Sequence, residues 1–102
     1  MGYTLPMFEI IESDTFRRWR RGLKDQQARL RINARLQRVA NGNLGDTKSV
    51  REGIGELRID YGPGYRVYFT QRGRELVILL AGGAKRTQAT DIRTALRLAH
   101  NL

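Results

Sequence analysis

The stretch that decides the fold is GELRIDYGPGYRVYF, Gly55 to Phe69. Leu57 and Ile59 alternate on one side of Gly62-Pro63-Gly64, and Val67 and Phe69 alternate on the other. Period-two alternation around a turn rich in glycine and proline reads as a β-hairpin with one apolar face. The apolar residues must share that face, which constrains the register. A two-residue turn at Pro63-Gly64 sets Asp60 against Val67 and fails. A loop centred on Pro63 sets Asp60 against Arg66 and Arg58 against Tyr68. The other face then carries Glu56, Arg58, Asp60, Arg66, Tyr68 and Thr70. Pro63 fixes φ in the turn, and Gly62 or Gly64 supplies a positive φ. Cross-strand pairs on a solvated face, about 0.2–1 kcal/mol each, would explain any one of these residues. As a set they also describe a site.

Outward from the hairpin, Glu75 to Ala81 includes LVILLA, apolar at every position, which reads as a central strand covered on both faces. Gly82 to Lys85, GGAK, reads as a turn. A last helix is expected to start near Thr87 to Thr90, with Ile92, Ala95, Leu96 and Ala99 on one face. Upstream, Met7 to Ile11 reads as a first strand. Ser13 or Asp14 caps a helix with Phe16, Trp19 and Leu23 in one stripe. Asp25 caps a second helix with Ala28, Ile32, Leu36 and Val39 inward, and Asn41 to Asn43 ends it. Leu44 to Gly53 reads as a loop. The expected order is β-α-α-β-β-β-α, an α+β domain with a small, mostly antiparallel sheet. A helical hairpin and a C-terminal helix pack against it.

Composition bounds the rest. At 102 residues, one domain is expected, with residues 1–6 as an N-terminal extension. There is no cysteine, which excludes disulfides and cysteine-based zinc or redox sites. No apolar run has the length of a membrane span, and no signal peptide is evident. These features fit a reducing cytoplasm. Nineteen Lys plus Arg face ten Asp plus Glu, a formal charge of +9, and most of the cations are Arg. Arginine suits bidentate phosphate contact, so a polyanionic partner is expected. Nine of these cations lie between Phe16 and Val39 against one acid, Asp25. They are Arg17, Arg18, Arg20, Arg21, Lys24, Arg29, Arg31, Arg35 and Arg38. They suggest a basic outer side for the helical hairpin that suits either a nucleic acid, touched at its backbone without reading sequence, or an acidic protein.

Two stretches together, Gly53 to Phe69 and Leu79 to Ala95 (LLAGGAKRTQATDIRTA), resemble the RelE/ParE superfamily of bacterial toxin–antitoxin modules. The likeness runs over Met7 to Ala99, and its nearest branch looks like the HigB-like, phage-associated killer proteins. The resemblance implies a RelE-like toxin that cuts mRNA on the ribosome through the RNA's own 2′-hydroxyl and arrests translation and growth. It implies a small antitoxin partner with a helix-turn-helix domain, operator DNA bound only through that antitoxin, and no metal or cofactor. The ParE branch implies the alternative, a non-catalytic inhibitor of DNA gyrase. A plain nucleic-acid-binding protein is a third reading.

Cleavage through a 2′-hydroxyl needs a base, cations for the phosphorane and an acid for the leaving oxygen. The acid is dispensable if the ribosome holds the strand in line. By the resemblance, Arg66 matches the sheet arginine on the scissile phosphate. Lys85 and Arg86 match the basic pair after the last strand, and Arg58 stands near a catalytic lysine position. Departures are as informative. Ile92 stands where the family has a tyrosine, and Glu56 stands near a second lysine. Glu56 is a candidate base or an exposed strand residue. Tyr68 is a candidate for base stacking or proton donation, or a partly buried aromatic of the sheet. Gln88 and Asp91 read as caps of the last helix, Trp19 as core, and His100 as a solvated residue near the end.

Overall fold

The structure is a computed structural model that describes residues 7–102, so the expected N-terminal extension, residues 1–6, lies outside the described residues. Five strands, β1 (Glu9–Glu12), β2 (Thr47–Arg51), β3 (Ile54–Ile59), β4 (Tyr65–Arg72) and β5 (Leu76–Ala84), form one sheet in the order β1-β5-β4-β3-β2. The helices are α1 (Asp14–Gly22), α2 (Gln26–Ala40) and α3 (Gln88–His100), with a 3-10 turn at Lys85–Thr87. β1 runs parallel to β5 and the other pairings are antiparallel, so the sheet is mixed. The central strand is therefore β4. LVILLA lies in β5, one place nearer the edge, and is covered on both faces by α1 and α3.

The element order corrects the expected pattern by one strand. Thr47–Arg51 pairs with β3 within the segment read as a loop. TKSVR has no apolar alternation, and only Val50 is even partly buried. Such an edge strand forms by backbone pairing alone, so period-two analysis passes over it. Glu52 and Gly53, both at positive φ, turn it into β3.

Local capping follows the sequence. Ser13 Oγ accepts from the Phe16 amide at 3.0 Å and donates to the Leu80 carbonyl at 2.7 Å, fixing the start of α1 against β5. Asp25 caps α2 through the Gln27 and Ala28 amides. The Tyr61 hydroxyl also donates to Asp25, at 2.9 Å, which ties the hairpin loop to the helical hairpin. That bond is the main reason the Asp25 carboxyl sits below its usual range; burial opposes it, and the two amides add to it.

Two cores flank the sheet. Phe16, Ala28, Ile32, Leu36 and Val39 meet Leu57, Ile59, Val67, Phe69, Val77 and Leu79 on the side of α1 and α2. A side chain buried as fully as Ile32 or Val39 contributes about 1.5–3 kcal/mol. On the other side, Ile54, Tyr68, Ile78, Leu80 and Ala81 meet Ala95, with Ile92, Leu96 and Ala99 packed alongside. The face of the hairpin expected to be polar and solvated is thus roofed by α3.

Gly82 and Gly83 are not a turn; they continue β5. The reason is close packing on both faces. A Cβ on Gly82 would overlap the six-membered ring of Trp19, and one on Gly83 would overlap the Asp91 carboxylate. Trp19 is accordingly half-buried against the core, 5.8 Å from Phe16 and 6.1 Å from Tyr65 between ring centroids.

Candidate functional site

The hairpin register differs from the expected one by two residues. Arg58 faces Arg66, Glu56 faces Tyr68, and Ile59 faces Tyr65, leaving Asp60 to Gly64 as a five-residue loop. A shift of two preserves which residues share a face, so the polar set stays together while every partner changes. Asp60 leaves the ladder and is exposed; it is not the partner of Arg66. Two residues of opposite expected sign are replaced by two facing arginines, a pair that needs an anion between them.

Glu56 is that anion. It is fully buried, which corrects the reading of an exposed strand residue. Arg58 Nε donates to its Oε1 at 3.1 Å, and Arg66 Nε lies 3.6 Å from the same oxygen. Gln88 Nε2 donates to Oε2 at 2.6 Å. Burying an unpaired carboxylate is costly, and these three partners offset that cost. Tyr68 is also fully buried opposite Glu56, which removes it from base stacking. Its hydroxyl makes no well-formed hydrogen bond. Burial first, and then the Glu56 charge, push that hydroxyl above its usual range, so it stays protonated.

Outside this buried centre is a polar cleft of about 340 Å³ lined by Arg58, Arg66, Lys85, Asp46, Asp60 and the Gly62-Pro63-Gly64 loop. Arg58 is 37% exposed and Arg66 13%, so each shows part of its guanidinium to the cleft while its Nε faces Glu56. Gly62 and Gly64 both take positive φ. At Gly64 a Cβ would stand 3.3 Å from Arg66 Nη1, so glycine leaves that guanidinium room. Arg86 is exposed in the 3-10 turn beside Lys85.

The helix-terminus reading is corrected. Thr87 is the N-cap residue of α3, and Gln88 spends its side chain on Glu56 rather than on the helix end. Asp91 accepts from Thr87 Oγ1 at 2.6 Å. Sequence reasoning missed Gln88 as a member of the site because nothing in its spacing reveals a partner 32 positions away. Ile92 packs in the second core, and His100 is exposed at the end of α3.

The nine cations of the helical hairpin do not form one uniform face. Arg20 pairs with Glu12, Arg17 with Asp14, and Arg29 donates to the Leu23 carbonyl. Arg18, Arg21, Lys24 and Arg38 are exposed, and Arg31 lies over the Tyr61 ring at 4.8 Å. Arg35 departs from the expectation, being 3% exposed. Its guanidinium donates to the Asp46 carbonyl at 2.9 Å and to the Arg58 carbonyl at 3.4 Å, joining α2 to the β2–β3 layer. Among the described residues no cluster of His, Cys, Asp or Glu is placed to hold a metal ion, and no helix is long and apolar enough to cross a membrane.

Comparison with known proteins adds a family. The model described as "Phage derived protein Gp49-like (DUF891)" matches residues 18–101. A Haemophilus influenzae protein described as uncharacterized is 53% identical over 94 residues, covering 92% of this chain and 95% of the relative. This family is distinct from the RelE/ParE superfamily, and the match overturns the RelE/ParE and HigB-like assignment drawn from the two motif stretches.

Proposed function

We propose that this chain, which belongs to the phage-derived Gp49-like family, is the toxin of a toxin–antitoxin module. It acts in the cytoplasm as an endoribonuclease on mRNA held by the ribosome. The observation that carries the reading is the pair Arg58 and Arg66, fixed from below by one buried carboxylate and opening with Lys85 into a cleft. Three cations around one cavity suit a phosphate whose charge rises as the 2′-oxygen attacks.

In the step proposed, the 2′-oxygen bonds to phosphorus and the bond to the 5′-oxygen breaks. The products are a 2′,3′-cyclic phosphate and a 5′-hydroxyl. Arg58, Arg66 and Lys85 hold the equatorial oxygens. Glu56 does not touch the substrate; it is a positioning residue for the two arginines. The enclosure of Glu56 and Tyr68 leaves the 2′-proton to pass to water and the leaving oxygen to take one from water. With proton transfer so weakly served, alignment of the strand has to come from outside, which is the reason for assigning the ribosome that part. Arg18, Arg21, Lys24 and Arg38 supply salt-sensitive contact to RNA backbone. A small antitoxin, expected to carry a helix-turn-helix domain, silences the toxin.

The test is primer extension on one message in a purified translation system, comparing wild type with Arg66→Ala, each with and without ribosomes. Cuts that need ribosomes and fall at least 100-fold in the variant are expected, the loss typical of a transition-state charge contact. Intact message alongside growth arrest in cells would count against it and point to a non-catalytic target such as DNA gyrase.

A further inference from the structure

A second cleft, of about 380 Å³, adjoins the first and shares Asp46, Arg58 and Asp60 with it. Its other side is α2, where Arg31, Arg35 and Arg38 fall at i, i+4 and i+7 and so share one face. Four arginines thus face two aspartates. The floor adds a further sign of unmet charge. Arg35 is buried, its bonds go to two carbonyl oxygens rather than to a carboxylate, and its Nη1 has no hydrogen-bond partner. Burial first, and then the neighbouring Arg38, act to lower the Arg35 pKa, while Asp46 acts to raise it. Arg31 is exposed and lies over the Tyr61 ring at 4.8 Å. Arg38 is exposed, and its side chain makes no hydrogen bond among the described residues.

We infer that this second cleft binds a neighbouring phosphate of the same RNA strand whose scissile phosphate sits at Arg58, Arg66 and Lys85. The inference rests on the nuclease reading for the strand's identity but not for its test. Arg58 is the shared wall, so a strand leaving the first cleft along Asp60 meets Arg38 and Arg31 next. The consequence is a substrate requirement: the protein holds single-stranded RNA by at least two phosphates, and a single phosphate occupies only half the groove.

The test measures binding without cleavage, by fluorescence anisotropy at low salt. The probes are a labelled 2′-O-methyl tetranucleotide and a labelled dinucleotide with one phosphate. Arg38→Ala is expected to weaken the tetranucleotide about tenfold and to reduce its salt slope by about 0.7, the value of one single-strand phosphate contact. The dinucleotide should be unaffected, and Arg38→Lys should restore most of the loss. Equal losses for both probes, or no loss for either, would overturn the inference. So would inorganic phosphate or a polyglutamate peptide competing as well as the tetranucleotide. If message stays uncut on the ribosome yet the length-dependent Arg38 effect appears, the subsite stands and the nuclease reading alone fails.

Discussion

Gly82→Ala is expected to lower stability by about 3 kcal/mol, the upper part of the range for overpacking a filled core. The new methyl would overlap the Trp19 ring. Trp19 has little freedom to yield, because Phe16 and Tyr65 flank it and its own helix starts at the Ser13 anchor on Leu80. For a chain of this size each kcal/mol moves the midpoint by about 4–8 °C, so thermal unfolding followed by circular dichroism resolves the effect easily. The matching control is Gly22→Ala. Gly22 is the last residue of α1, has open space around it and is not at positive φ. There the same substitution is expected to stabilise by about 0.5–1 kcal/mol, since alanine costs less than glycine to order in a helix. Equal midpoints for Gly82→Ala and wild type would mean that Trp19 does not close on β5 as described.

Glu56→Ala is expected to cost about 3 kcal/mol and to abolish activity. Removing one partner of a buried ionic cluster leaves the other charges facing each other, here Arg58 against Arg66. The figure sits at the low end of the range for buried pairs because Arg58 can turn toward water. Glu56→Gln separates the two effects. It keeps the shape, but its amide brings a donor where Arg58 and Gln88 already donate, and it removes the charge that Arg66 Nε faces at 3.6 Å. A folded Glu56→Gln protein with little cleavage is expected, and its retained oligonucleotide binding would distinguish misplaced arginines from a lost site. Wild-type cleavage by Glu56→Gln would show that the carboxylate does not position the arginines.

Much of this was legible in the sequence because it follows from local chemistry. The helix starts at Ser13 and Asp25, the stripe of Ala28, Ile32, Leu36 and Val39, and the inward set Leu57, Ile59, Val67 and Phe69 all stand as read. What escaped depends on tertiary partners. A polar, unalternating edge strand at Thr47–Arg51 is made by pairing with β3. The glycines at 82 and 83 looked like a turn because glycine serves turns and close packing alike. The candidate site was legible as a set of residues but not as an arrangement. Period-two logic put Glu56, Arg58, Arg66 and Tyr68 on one face, yet it cannot see that α3 covers that face. Charge ranks Arg35 with the solvated arginines, although its place three residues after Ile32 and four before Val39 sets it on the inward face of α2, where the carbonyls of Asp46 and Arg58 accept from it.

The most direct measurement of the central claim uses a message carrying a single 2′-deoxynucleotide at the position where wild-type protein cuts it on the ribosome. Loss of the cut at that position, with a 2′,3′-cyclic phosphate on the product of the unmodified message, is the expected result. Cleavage of the deoxy-substituted message at the same place would contradict attack by the 2′-oxygen, and with it the role assigned to Arg58, Arg66 and Lys85.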